Sequence, residues 1–588
     1  MNRPLTRWLA LCCVAACLLL TACSEADNDA VATDASADTS GADAATGADA
    51  STGDDAATSD DSSTSDDAAT SDDSSTSDDS SSDTSTGPQP VTLSPPAGPI
   101  AGEAEGGVRA FLGIPFAVPP TGPLRWTHAQ PIAPWSSTLD ATEFGPVCPQ
   151  NGIIGGALTG DEDCLTLNVW TPDPMPADAP VMVWIHGGGF TTGAGSDGLY
   201  HGRKLASKGV VVVTLNYRLG ALGLLAHPGL TAESGSDATS GNYGLTDQRR
   251  ALEWVRDNIS AFGGDPDKVT IFGESAGAFS VCYHLVMPDS AGLFDRAILQ
   301  SGPCLFDAPL SDLAAAEAQG VTVGAALGCD DATDLSCLRA KTATEVLTAI
   351  PASSSFFVGE GTEWQPIIDG HILPEHPKAA VAAGRFSSVP TMLGSNADEG
   401  TLFLALREYA YNEAEYQAWL TETFYDSAAT VLAAYPASDF DSVNDAMANV
   451  IGDAVFICGA RATARALTSA GAPVFLYHFT HPFTFPLYDD LGAYHSAEIP
   501  FVFQNPYITV RLNAEERVLS DAIQGYWTRF AATGDPGTDP TASIAWPAYD
   551  AATDPYLTLD LTLRAGSALK PDRCDLWDQV WSALPTSP

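Results

Sequence analysis

Ser275 stands in the stretch VTIFGESAG, Val269 to Gly277, with Gly273 and Gly277 two residues to either side. A four-residue apolar run leads into the serine and a helix-compatible segment leaves it. That is the build of a sharp strand-to-helix turn that holds a serine oxygen out for attack, with glycines where a Cβ would not fit. A GxSxG pentapeptide alone is weak evidence, because such turns arise by chance in Gly- and Ser-rich chains. A second segment agrees with it: VMVWIHGGGF, Val181 to Phe190, runs a buried-strand pattern straight into three glycines. Their backbone N–H groups can approach a ligand closely. Gly188, Gly189 and the N–H of Ala276 are therefore the expected donors to the oxygen of a tetrahedral intermediate. The plainer alternative is a flexible glycine loop after a strand.

A serine hydroxyl is a poor nucleophile near neutral pH, so the chain must also supply a base and a carboxylate to orient it. If both follow the serine in the order Ser, acid, His, the base is one of His284, His371, His376, His478, His481 and His495. His284 falls on the helix after the serine and His478 inside the apolar run VFLYHF, which are structural positions. His495, in the loop-like GAYHSAEIPFVF, is the better candidate. For the acid, LGSNADEG places Asp398 and Glu399 just beyond a short strand, and spacing does not choose between them.

Taken together, FLGIPFAVPPTGPLRW, EDCLTLNVW, HGGGF, NYRLG, NYGLTDQRRALEWVRDNISAFGGDPDKVTIFGESAG, AILQSG, the DEG after LGSNA, and GAYHSAEIPFVF resemble the type B carboxylesterases. That group also contains the cholinesterases and the bacterial para-nitrobenzyl esterases. The resemblance spans roughly residues 108 to 503. It implies an α/β-hydrolase fold and a serine carboxylic-ester hydrolase working through an acyl-enzyme, with Ser275 as nucleophile, Glu399 as acid, His495 as base, and neither metal nor cofactor. It further implies that Ser301 and Glu498 lie behind the triad, that Arg125 pairs with Glu162 and Arg218 with Asp247, and that disulfides join Cys148 to Cys164, Cys329 to Cys337, and Cys458 to Cys574. Cys282 and Cys304 have no evident partners, and Cys282 reads as a small hydrophobe packed on the elbow helix. One departure stands out: members of the group often have Gly after the histidine, where this chain has Ser496.

The expected substrate is a small or medium carboxylic ester. The loop between Cys148 and Cys164 contains no aromatic ring, whereas cholinesterases hold a quaternary ammonium there by cation–π attraction, so acetylcholine is disfavoured. Phe190 and the aromatic segments near Phe356 and Phe483 are candidates to line an acyl or alcohol pocket. The alternatives are a lipase-like hydrolase of aggregated lipid esters and, from a different class, a non-catalytic surface binding or adhesion module.

The elements that must position these residues alternate between strand and helix. VVVVTLNY from Val210, VTIF from Val269, VPTMLGS from Val389 and VFLYHF from Val474 read as buried strands, and helical segments separate them, as a large, mostly parallel sheet flanked by helices requires. From Leu245, a helix carries Leu245, Leu252, Val255, Ile259 and Phe262 on one face. No low-complexity linker interrupts residues 91 to 588, so one catalytic domain is expected despite a length that could hold three.

Residues 1 to 22 read as a signal peptide, with Arg3 and Arg7 before the apolar run Trp8 to Leu20. The ending LTAC resembles a bacterial lipobox, which implies lipidation of Cys23 and an exported protein tethered to a cell-envelope membrane. Residues 23 to 90 read as a disordered spacer: from Ser24 they hold 18 acidic residues and no Lys, Arg or aromatic residue, so there is little apolar surface to offset ordering entropy. The net charge is -48. Outside the spacer and the signal it is still -32, which excludes nucleic acid as a partner. The partners expected are an ester, water and the membrane through its lipid anchor.

Overall fold

The computed structural model describes residues 87–151, 158–305, 310–350, 364–406, 409–483, 491–506, 510–538 and 544–583. The signal segment, Cys23, nearly all of the acidic spacer and Phe356 lie outside the described residues.

A 13-stranded sheet organises the chain. Its strands are β1 (Gln89–Leu93), β2 (Ile100–Glu105), β3 (Val108–Pro115), β4 (Leu139–Asp140), β5 (Thr166–Pro172), β6 (Ala179–Ile185), β7 (Val211–Leu215), β8 (Gly264–Glu274), β9 (Arg296–Gln300), β10 (Thr391–Asn396), β11 (Val474–Phe479), β12 (Pro555–Leu559) and β13 (Arg564–Ser567). From β7 the order runs β7-β6-β8-β9-β10-β11-β12, parallel throughout. Antiparallel pairs finish both edges, β5 joining β7 on one side. All four segments read as strands from the sequence are strands here.

Their continuous apolar runs follow from burial on both faces. On β6, Val181, Val183 and Ile185 enter one core while Met182 and Trp184 enter the other. The same two-residue alternation sends Val474 and Leu476 of β11 to the first core and Phe475, Tyr477 and Phe479 to the second. Helices Tyr243–Asn258 and Ala276–Val286 cover the first face; Ile499–Phe503 and Ala514–Thr533 cover the second. A third cluster, built on Val443–Ile451 and Pro571–Ala583, packs Trp577 with its indole N–H donating to Tyr435 Oη at 2.9 Å.

Leu245, Leu252, Val255, Ile259 and Phe262 are all buried, but on two kinds of helix. The α-helix ends at Asn258 and a 3-10 turn carries Ile259–Phe262. Gly263 then stops it at φ 82°, a conformation glycine adopts without steric cost.

Arg218 meets Asp247 through Nε and Nη2 at 2.8 and 2.7 Å, both residues buried. Arg125 forks onto Glu162, with Nε 2.7 Å from Oε2. Bridges join Cys148–Cys164, Cys329–Cys337 and Cys458–Cys574. A fourth joins Cys282 to Cys304, which corrects the expectation that these two stand alone. The helix after Ser275 and the loop after β9 come together because β8 and β9 are parallel neighbours, a proximity that cysteine spacing does not reveal.

Candidate active site

Every candidate residue follows the carboxyl end of a parallel strand, where open α/β sheets bind ligands. β8 ends at Glu274, and Ser275 takes φ 55°, ψ -124° before the helix Ala276–Val286 begins. A non-glycine residue at positive φ is strained and persists only where its surroundings hold it. Here the Ser275 N–H donates to Gln300 O of β9 and its carbonyl accepts from Phe279 N, both at 2.9 Å. The flanking glycines permit the close crossing: a Cβ on Gly277 would lie 1.9 Å from Ile185 O of β6, and one on Gly273 would lie 2.6 Å from Gly277 C.

β6 delivers the glycine loop. Gly188 and Gly189 are exposed with φ 105° and 60°, and Gly188 O accepts from Thr191 N at 3.1 Å and Thr192 N at 3.0 Å. Side chains are excluded at Gly188, where a Cβ would lie 2.2 Å from Thr192 O. Ala276, the first helical residue, has one of the N–H groups that no intrahelical carbonyl can satisfy.

The loop after β10 holds Glu399, fully buried, with Oε1 accepting from Asn396 N at 2.7 Å. Glu399 Oε2 lies 2.6 Å from His495 Nδ1. In the neutral imidazole this contact favours the tautomer with its proton on Nδ1, which leaves the Nε2 lone pair for another donor. Nε2 itself is buried and makes no hydrogen bond among the described residues. Phe403 and Phe456 flank the imidazole at 4.9 and 4.7 Å. Asp398 turns the other way: its Oδ2 accepts from Ala493 N at 2.8 Å, clamping the histidine loop against β10. The neighbouring acids thus have separate partners, Glu399 the imidazole and Asp398 the backbone of its loop.

The other histidines lie elsewhere. His284 is buried between Ser290 Oγ and Gln248 Oε1 at 2.8 and 3.1 Å. His478 is enclosed in β11, and His481 lies between Asp560 and Glu516 at 3.3 and 3.4 Å. His376 caps a helix by accepting from Lys378 N, and the backbone N–H of His371 bonds Asp369. Behind Glu399, Glu498 bridges two strand ends, with Oε1 accepting from Gln300 Nε2 at 3.0 Å and Oε2 from Asn396 Nδ2 at 2.7 Å. Ser301, at φ 52°, donates its N–H to Gly394 O at 2.9 Å.

Sequence reasoning passed over Glu274, whose signal was its place as the last strand residue before the serine. It is 2% exposed, its Oε1 accepts from Ser496 Oγ at 2.5 Å, and the same oxygen lies 3.2 Å from His495 Nε2. Burial lifts its pKa to about 8, with Glu498 and Glu399 adding to the rise and His495 and Ser496 opposing it. Burial alone would depress His495, but the charges of Glu274 and Glu399 outweigh it and lift the imidazole to about 9. Burial also raises Glu498.

A pocket beside the elbow is lined by Phe190, Phe279, Tyr283, Pro303, Leu310 and the Cys282–Cys304 bridge. Phe190 therefore lines a pocket as expected. Phe483 itself is 2% exposed and packs on Phe501 at 5.9 Å, inside the second core, and the aromatic residues that follow it in its segment, Phe485 and Tyr488, lie outside the described residues.

The sheet, the elbow and the histidine–glutamate pair define an α/β-hydrolase with a serine-centred site. The chain belongs to the carboxylesterase family, whose model matches residues 89–577. It is 40% identical over 463 residues to a fumonisin B1 esterase of Sphingopyxis macrogoltabida, covering 76% of this chain and 82% of that one. It is 37% identical over 521 residues to an acetylcholinesterase of Bungarus fasciatus, covering 82% and 84%. Among solved structures, a PNB esterase matches at 36% identity and TM-score 0.71, and a thermophilic PNB esterase at 36% and 0.72, each covering 83% of this chain and 99% of the other. The protein is a serine carboxylic-ester hydrolase. The four disulfides among the described residues suit an oxidising, exported setting. No helix among the described residues is long and apolar enough to cross a membrane.

Proposed function

We propose that Ser275 attacks the ester carbonyl while His495, oriented by Glu399, takes its proton. The N–H groups of Gly188, Gly189 and Ala276 then hold the oxyanion, the alcohol leaves with the proton returned by His495, and water repeats the sequence to release the acid. The observation that carries this reading is the 2.6 Å contact between Glu399 and His495 Nδ1, which leaves Nε2 without a hydrogen bond. Ser301 and Glu498 support the triad from behind, through the ends of β9 and β10.

The substrates are small to medium carboxylic esters. The pocket lined by Phe190, Phe279 and Tyr283 takes one apolar arm, and the esterase names among the relatives favour single soluble esters over aggregated lipid. Residues 91 to 588 form the catalytic domain, residues 1 to 22 direct export, and Cys23 carries a lipid that anchors the enzyme through the acidic spacer of residues 23 to 90. Acyl chains supply about 0.8 kcal/mol per buried methylene, and two or more on one terminus hold a protein stably. The test is hydrolysis of p-nitrophenyl esters from acetate to palmitate by residues 91 to 588 and by the Ser275→Ala variant, with intact-mass analysis of the full-length protein for the lipid. Saturable turnover of short chains, lost in the variant, is expected. A rate that jumps only above the ester's solubility limit would favour a lipase.

A further inference from the structure

We propose that Ser496 is a positioning residue: its hydroxyl pins Glu274 and thereby sets how that carboxylate acts on the Nε2 edge of His495. The inference rests on the reading of Ser275 and His495 given above. Ser496 follows the histidine directly and takes φ 77°, a conformation that glycine adopts without strain and serine does not. A serine there carries a backbone cost that glycine would not.

That hydroxyl donates to Glu274 Oε1 at 2.5 Å, and Oε1 is the oxygen 3.2 Å from His495 Nε2. The other carboxylate oxygen lies over Gly187, where a Cβ would come within 2.8 Å of Glu274 Oε2, so the glycine leaves the carboxylate its place. Ser496 therefore holds Glu274 by the same oxygen that faces the base, beside the nucleophile.

The surrounding charges fix the sign of the effect. Glu399 faces Nδ1 from the β10 loop at 2.6 Å. Glu498 faces the cluster from the start of its helix, tied to Gln300 and Asn396. Tyr477 of β11 contributes a buried phenol, and His186, at the end of β6, lies next to Gly187 with its Nδ1 bonded to Gly187 O at 2.8 Å. Buried carboxylates crowd one another, so a donor to Glu274 favours its ionised form, and an ionised Glu274 in turn favours the protonated form of His495. Removing the hydroxyl leaves Glu274 more readily neutral, makes His495 a weaker base, and withdraws charge that stabilises the imidazolium of the transition state.

The experiment measures pH–rate profiles of p-nitrophenyl acetate hydrolysis for wild type, Ser496→Gly, Ser496→Ala, Glu274→Gln and Glu274→Gln with Ser496→Gly. In both single Ser496 variants the acid limb of kcat/KM should move down by about half a pH unit or more, with plateau kcat falling about tenfold and KM within about twofold of wild type. Glycine relieves the backbone strain and alanine keeps it, so a merely structural role would separate the two variants, whereas loss of the donor moves both alike. In the Glu274→Gln background the Ser496→Gly change should disappear, as coupled residues require. Unchanged limb and plateau in an active Ser496→Gly enzyme, or a shift that persists without the Glu274 charge, overturns the proposal alone. A folded wild type with no ester hydrolysis at any pH overturns the triad assignment with it.

Discussion

Replacing Glu399 by Gln exchanges one oxygen for an NH2 group and removes the charge that faces His495. The carboxylate is fully buried, 2.6 Å from Nδ1. At the effective dielectric of about 20 that suits such sites, attraction to an imidazolium at this distance is on the order of 6 kcal/mol, about four powers of ten in rate. Geometry adds to the loss. Asn396 N needs an acceptor at 2.7 Å, so the carbonyl of the substituted amide settles there and its NH2 faces Nδ1. The imidazole must then carry its proton on Nε2, the edge that the proposed mechanism needs free to accept from serine, and a comparable isosteric change in a Ser-His-Asp triad lowers kcat by about 10⁴. A fall of about 10³ to 10⁴ in kcat for p-nitrophenyl acetate, with little change in KM, is expected of Glu399→Gln. Asp398→Asn is the control, because it touches only the loop through Ala493 N. A Glu399→Gln enzyme within tenfold of wild type, or one more active than Asp398→Asn, would refute the reasoning.

Unperturbed histidine would place the acid limb of kcat/KM near about 6.5, but the carboxylates around His495 lift it toward about 9. Since the base acts only when deprotonated, a raised pKa moves the limb to higher pH, and a profile from about pH 5 to 10 should show a midpoint above the ordinary histidine value of about 6.5. Gly277→Ala forces a Cβ to within 1.9 Å of Ile185 O; overpacking of this kind costs about 1–3 kcal/mol and more when backbone is struck, so thermal melting should fall by several degrees or the chain should become insoluble. Replacing both Cys458 and Cys574 by Ala opens a link across 116 residues. It should cost about 2–5 kcal/mol in urea unfolding, and the same change at Cys329 and Cys337, separated by 8 residues, should cost less.

The parts of the site that lie within a few residues of a strand end were legible in the sequence, because one short turn fixes their place. Ser275 and its glycines, the glycine run after β6, and the DEG after β10 are of this kind. The choice between Asp398 and Glu399 was not, since adjacent side chains part according to loop conformation, and only the family resemblance favoured Glu399. The contact of His495 with Glu399 spans 96 residues, and the Cys282–Cys304 bridge depends on β8 and β9 being neighbours. Neither follows from local pattern. Glu274 stood in plain view within GESAG, yet a carboxylate at a strand end signals nothing until Ser496 and His495 are folded against it. Phe483 shows the converse: an aromatic side chain in a loop-like segment is packed on Phe501, and local pattern does not say which aromatics face a core.

The central claim is that Ser275 is the nucleophile activated by His495. Treating the folded enzyme with a fluorophosphonate and mapping the adduct by peptide mass spectrometry tests it most directly. One stoichiometric adduct on Ser275, absent in Ser275→Ala and strongly slowed in Glu399→Gln, is the predicted result; labelling of another serine, or none in a folded protein, would contradict it.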